Sequence, residues 1–188
     1  MTPHSKAELR AIARERRDAL PRTERKACSA AFAEHFLKEV PWRNKVIAGY
    51  YPAHSELDAL PLLTQLYRKG ATCCLPAATS HVRILEFRRW QPDTPMITGG
   101  SFGMMEPSAE AETIKPDIVI VPLLAFDTAR HRIGYGAGCY DHTLEELRHR
   151  NPKLLAIGAA FSTQRLDEIP FDDHDQPLDK IITEKGVV

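Results

Sequence analysis

The chain has 188 residues, 43% of them hydrophobic, and lysine plus arginine equals aspartate plus glutamate at 25 each, so the formal charge is zero. That length and apolar content suit one α/β domain over 1–188 with its own core, and the balanced charge removes any global pull toward nucleic acid or anionic lipid. With no apolar run of membrane-spanning length and a charged start that lacks a signal-peptide core, a cytoplasmic monomer with no nucleic-acid or membrane partner is expected.

Ser5-x-x-Glu8 is a capping box that opens a helix to about Leu20, where Pro21 stops it. Lys6, Arg10 and Arg14 recur every four residues there and share a face, either a solvated basic surface or a set of anion ligands. A second helix follows Thr23 to about Val40, with Phe32, Phe36 and Leu37 at helical spacing. Val46 to Tyr51 reads as a buried strand ended by Pro52, Leu57 to Arg68 as an amphipathic helix, and Thr72 to Leu75 as the next strand. Adjacent Cys73 and Cys74 would point to opposite faces of that strand as reduced, buried thiols, and neither the cysteines nor the eight histidines show zinc-ligand spacing.

Ile84 to Trp90 alternates apolar and polar residues as a half-exposed strand does. From Gln91 to Lys115 prolines and glycines interrupt any period, which suggests a long functional loop inside the same core. The apolar run Asp117 to Pro122 is a buried strand, and after a gap it leads to Arg132-Ile133-Gly134-Tyr135-Gly136-Ala137-Gly138-Cys139-Tyr140-Asp141. A helix from His142 to Arg150, a strand from Leu154 to Ala159, an acidic proline-punctuated tail and a last strand near Ile181 complete the chain. This βαβ alternation predicts an α/β fold: an open, mainly parallel sheet flanked by helices on both faces, three layers α/β/α. Ligands in such sheets sit at the carboxyl ends of strands, where Tyr51-Pro52, Ala77 and the segment after Pro122 fall.

Three alternating glycines strip side chains from the backbone ahead of a helix whose positive dipole end faces the loop, an arrangement suited to an anion and equally to a tight strand-to-helix turn. It is neither a Walker A loop, which needs Gly-Lys-Ser/Thr, nor a dinucleotide fingerprint, because about ten residues separate the strand from the first glycine. Arg132 ahead of the glycines suits a phosphate clamp and Asp141 behind them a metal carboxylate, although Asp141 at a helix start also suits a cap. Cys139 sits where a thiolate would be favoured, but no histidine partner is fixed by the sequence.

These stretches, together with Pro116-Asp117, Ala125-Phe126-Asp127, Lys6 to Arg10, Tyr51-Pro52 with Glu56 and Asp58, Gly103 to Pro107, and His174-Asp175 with Asp179, resemble the 5-formyltetrahydrofolate cyclo-ligase family along essentially the whole chain. The chain departs from that pattern at Ala137, usually glycine, at Cys139, usually aromatic, and at His131, usually glycine. The resemblance implies ATP- and Mg²⁺-dependent closure of 5-formyltetrahydrofolate to 5,10-methenyltetrahydrofolate, through phosphorylation of the formyl oxygen, with release of ADP and phosphate. It implies nucleotide binding by Lys6, Arg10, Arg132 and the loop Gly134, Tyr135, Gly136, Ala137, Gly138, Cys139 and Tyr140. Arg132 and Tyr140 take catalytic roles in that reading, and Asp141 and Asp175 hold the metal. Arg10, Tyr51, Glu56 and Phe102 would bind the folate. The residues leave plainer roles open: Tyr135 and Tyr140 as packing rings, Tyr51 as a core cap, Glu56 as a helix-end charge. Phosphosugar isomerases and coenzyme A transferases share this layering without using ATP, and a non-catalytic nucleotide- or RNA-binding domain is the further alternative.

Overall fold

The structure, a computed structural model, describes residues 5–79, 83–99 and 103–188. The expected Phe102 site therefore lies outside the described residues. Helix α1 (Lys6–Asp18) begins on the capping box: Ser5 Oγ accepts the Glu8 N–H while the Glu8 carboxylate accepts the Ser5 N–H at 2.7 Å. Helix α2 (Arg22–Glu39) follows Pro21. Strand β1 (Val46–Ala48) is shorter than the expected 46–51 run, and helix α3 (Leu60–Arg68) starts three residues later than expected, at a first turn containing Pro61 where Asp58 Oδ1 accepts the Leu60 N–H. Glu56 is thus too far ahead of the helix to act as its end charge.

Strands β2 (Thr72–Ala77) and β3 (Glu86–Trp90) pair antiparallel, and β3 closes one edge of the sheet. The 91–115 stretch, expected to be irregular, contains an antiparallel hairpin of β4 (Met96–Gly99) and β5 (Met104–Pro107). Buried Glu106 pins it to the end of β2 by accepting the Ala78 N–H at 2.9 Å, and a Cβ on Gly99 would collide with that carboxylate. Strand β6 (Ile118–Pro122), buried throughout, lies at the centre of a seven-stranded sheet. Its remaining members are β9 (Leu155–Ala159), β10 (Lys180–Thr183) and β11 (Gly186–Val187), giving the order β11-β10-β9-β6-β1-β2-β3 with antiparallel pairs only at the two edges.

Strand alternation sorts the core into two layers. Ile47, Cys73, Leu75, Ile118, Ile120 and Ile157 face α2 and α3, while Ala48, Cys74, Val119, Val121 and Ala156 face helix α4 (Cys139–Arg150). The three-layer expectation holds, and the two adjacent cysteines point to opposite layers as buried free thiols. Burial pushes the Cys73 thiol up to about 12. Gly49 lets α3 close on the sheet, since a Cβ there would overlap Leu63.

Helix α1 belongs to neither layer. Leu9 and Ala13 pack on Leu124, Ala125, Ile133 and Ile169, above the carboxyl end of β6. The residues between β6 and the glycines explain this: they form a hairpin of β7 (Ala125–Phe126) and β8 (Arg132–Ile133). Buried Asp127 ties its turn, accepting the His131 N–H at 3.0 Å and the Ile169 N–H at 3.2 Å. Among the described residues no helix is long and apolar enough to cross a membrane.

Candidate active site

The β7–β8 hairpin lifts Arg132 from the sheet edge into a buried position at the start of α4. Its guanidinium donates to Asp141 Oδ1 at 2.7 Å and to the Gln176 carbonyl at 2.6 Å. Asp141 Oδ1 also accepts the Gln176 N–H at 3.0 Å, so the acidic tail folds back over the glycine loop. Asp175, next in that tail, receives Lys6 Nζ at 2.6 Å, and Asp172 receives it at 3.0 Å. Burial works against the Lys6 charge, but the two carboxylates outweigh it and raise the ammonium above its usual range. The first and last thirds of the chain thereby meet across Gly134–Gly138.

The loop is shaped for close approach. Gly136 and Gly138 have φ of 104° and 71°, backbone that side chains rarely adopt, and open space surrounds the position a Cβ on Gly134 would take. Gly138 is the N-cap of α4 and no side chain caps that helix, whose first turn holds Cys139, Tyr140 and Asp141. Helix α4 starts three residues earlier than expected because these residues form its first turn. Asp141 is not its cap: its carboxylate turns to Arg132 and Gln176. Arg10 lies over the loop, with Nε donating to the Gly134 carbonyl at 3.0 Å and its guanidinium carbon 3.4 Å from a hypothetical Cβ on Gly136.

A second, drier centre adjoins the loop. Glu56 is 7% exposed, and it accepts the Ala53 N–H at 2.7 Å through Oε2 and the Tyr135 hydroxyl through Oε1. Burial raises its pKa, with the Ala53 N–H, Tyr135 and Arg17 pulling in the opposite direction. Tyr140 also lies here: burial and then the Glu56 charge push its phenol up, and its hydroxyl makes no hydrogen bond to another described residue. Tyr51 is half-buried between β1 and Glu56, also without such a bond. Its neighbour Tyr50 is the core residue, its hydroxyl donating to the Leu57 carbonyl at 2.6 Å. Burial raises the Cys139 thiol, so it is not an activated thiolate.

Arg17 was not anticipated. It is 1% exposed, donating to Ser55 Oγ at 2.9 Å and to the Tyr135 hydroxyl at 2.6 Å. The expected basic face of Lys6, Arg10 and Arg14 drifts by about 40° at each four-residue step, whereas Lys6, Arg10, Ala13 and Arg17 follow the 4-3-4 spacing that stays on one face. Arg14 is accordingly exposed. Reading buried Ala13 as the centre of the inward face would have found Arg17.

The 5-formyltetrahydrofolate cyclo-ligase family model matches residues 2–184. The chain belongs to that family. A cyclo-ligase of Mycolicibacterium smegmatis is 32% identical over 197 aligned residues, covering 100% of this chain and 98% of that protein. One of Haemophilus influenzae is 30% identical, covering 97% and 99%. The solved 5,10-methenyltetrahydrofolate synthetase of Aquifex aeolicus superposes with a TM-score of 0.80 at 32% identity, covering 97% of this chain and 91% of that one. A synthetase from Mycoplasma pneumoniae, at 23% identity and a TM-score of 0.76, shares the fold. This cyclo-ligase chain is therefore a ligase of folate metabolism, and the enzyme reading prevails over a non-catalytic domain.

The cyclo-ligase loop fits a polyphosphate: it has two positive-φ glycines, a helix start without a side-chain cap and Arg10 over Gly134, and it leads from Arg132 to Asp141. It also fits Mg²⁺, an ion that takes one or two carboxylates and leaves its other positions to phosphate and water. Asp141 and Asp175 each commit one oxygen to a cation, and among the described residues no group of three or more His, Cys, Asp or Glu forms a complete metal cage.

Proposed function

We propose that the protein converts 5-formyltetrahydrofolate to 5,10-methenyltetrahydrofolate, using ATP and Mg²⁺ and releasing ADP and phosphate. The observation that carries this reading is a glycine loop that Arg10 grips at Gly134, that runs from Arg132 to its partner Asp141, and that Tyr135 joins directly to the buried carboxylate of Glu56. One face of the loop suits a polyphosphate and the other an uncharged, donor-rich heterocycle.

The chemical obstacle is the formyl oxygen, a poor leaving group as hydroxide or oxide. MgATP supplies the phosphoryl group that lets this oxygen depart when N10 closes the ring. The residues of the chain bind, orient and neutralise. Lys6, Arg10 and Arg132, with the N–H groups at the start of α4, balance the phosphate charge, and Arg132 stands closest to its hairpin support. Gly134, Tyr135, Gly136, Ala137, Gly138, Cys139 and Tyr140 form the backbone cradle. Asp141 and Asp175 would hold Mg²⁺.

Glu56 accepts the amino-pyrimidinone edge of the pterin, for which a carboxylate offers paired acceptors. Arg10 and Tyr51 line the folate side. Tyr140, a phenol that is protonated at neutral pH and whose pKa burial raises further, donates to the formyl oxygen as charge develops there. One domain over 1–188 suffices, because α1 and the tail both complete the site. Zero net charge gives no drive toward nucleic acid or anionic lipid, which suits an enzyme acting on a small molecule.

The test is direct: incubate the protein with 5-formyltetrahydrofolate, ATP and Mg²⁺ and follow the methenyl chromophore. Product that requires both ATP and Mg²⁺ supports the reading. No product across pH and metal conditions overturns it.

A further inference from the structure

We infer that Tyr135 is a latch linking the two substrate sites, and that Arg17 is the positioning residue that sets it. The inference rests on Glu56 being the acceptor for the pterin edge. In the ligand-free arrangement that edge has no open seat: Glu56 is 7% exposed and both its oxygens are occupied. The bond from the Ala53 N–H is part of a closed turn, since the Glu56 N–H returns to the Ala53 carbonyl at 3.1 Å. Tyr135 is the removable partner. It is 43% exposed and stands between Gly134 and Gly136, so neither flanking side chain opposes its swing.

Arg17 sets the direction of the latch. A guanidinium only donates, so the Tyr135 oxygen accepts from Arg17 NH1 and the single hydroxyl proton points to Glu56. Ser55, one residue from Glu56, holds Arg17 Nε and itself donates to Asp18, which anchors the guanidinium on the Glu56 side. When two donors of a pterin claim Glu56, the Tyr135 hydroxyl loses its acceptor and leaves.

The nucleotide side feels that departure. Arg10 bonds the Gly134 carbonyl immediately before Tyr135 and packs on Gly136 immediately after it. While the latch is closed, Arg10 is committed to the loop's own backbone. Release of Tyr135 lets Gly134 turn away and frees Arg10 for phosphate. Folate thus strengthens nucleotide binding, and by linkage nucleotide strengthens folate binding by the same factor.

Calorimetric titrations with 5-formyltetrahydrofolate and a non-hydrolysable ATP analogue plus Mg²⁺ test this without turnover. In the wild type each ligand should tighten the other about five-fold or more. Tyr135→Phe removes the hydroxyl: folate alone should bind several-fold tighter and the coupling factor should fall to about one, with Tyr135→Leu abolishing coupling likewise. If Tyr135→Phe keeps wild-type coupling while Glu56→Gln weakens folate binding, the latch is wrong and the Glu56 reading stands. If Tyr135→Phe weakens folate binding, Tyr135 is a folate contact and the latch is again overturned. If Glu56→Gln leaves folate binding unchanged, both readings fail together.

Discussion

Arg132 and Asp141 pair at 2.7 Å, and the same Asp141 oxygen accepts the Gln176 N–H, so one carboxylate joins the β7–β8 hairpin, the start of α4 and the acidic tail. Arg132 is nearly buried, and a guanidinium there requires an anion.

Asp141→Asn should therefore cost about 1–3 kcal/mol in urea unfolding without ligand, because the amide keeps an acceptor but loses the charge facing Arg132. Turnover should fall strongly and the Mg²⁺ requirement should rise, with Asp175→Asn showing the same kinetic pattern more weakly. Wild-type activity at ordinary Mg²⁺ in Asp141→Asn would remove the metal role.

Lys6 and Asp175 form a partly exposed pair, which contributes at most about 1 kcal/mol to stability. Lys6→Ala should fold normally and bind the ATP analogue several-fold more weakly in a calorimeter. Because the Lys6 pKa is raised above its ordinary 10.5, its stabilisation is complete below that value and disappears as pH climbs through the raised one. Alkaline unfolding curves of wild type and Lys6→Ala should converge above that window. Equal ATP-analogue affinity would return Lys6 to a simple solvated face.

Glu56 titrates in the opposite sense to a surface carboxylate. Its folded pKa lies above the ordinary 4.5, so its contribution is greatest below 4.5 and is lost as pH rises through the raised value. The stability of wild type minus that of Glu56→Gln should decline as pH rises from below 4.5 through the raised value in denaturant titrations. In the same variant folate affinity should drop while ATP-analogue affinity in the absence of folate stays near normal. A pH-independent difference would show that Glu56 is not desolvated as its burial implies.

Two glycines of the loop should behave differently. Gly134 has ordinary backbone and open space around it, so Gly134→Ala should keep the wild-type melting temperature yet weaken ATP-analogue binding, since the methyl group intrudes where the anion approaches. Gly136, at φ 104°, should cost about 1–2 kcal/mol when changed to alanine, visible in thermal unfolding. Weakened binding in both variants with unchanged stability in both would contradict the backbone argument.

The layers, the strand order's parallel centre, the capping box and the glycine loop were legible in the sequence because each depends on neighbours a few residues apart: a period of two or 3.6, a Ser-x-x-Glu box, glycines at alternate positions. The β4–β5 hairpin was not, since its prolines and glycines mask alternation and its anchor, Glu106 to Ala78, lies 28 residues away. The candidate site was legible as a set of residue types and illegible as a network. Tyr135 meets Glu56 across 79 positions and Lys6 meets Asp175 across 169, distances over which spacing carries no information. Only the tertiary structure decided that α1 would leave the sheet layers to pack on the β7–β8 hairpin. That packing, through Leu9 and Ala13, rotates Arg17 inward and Arg14 outward. Sequence by itself determined which chemistry the chain carries; burial and long-range hydrogen bonding decided which charges face one another.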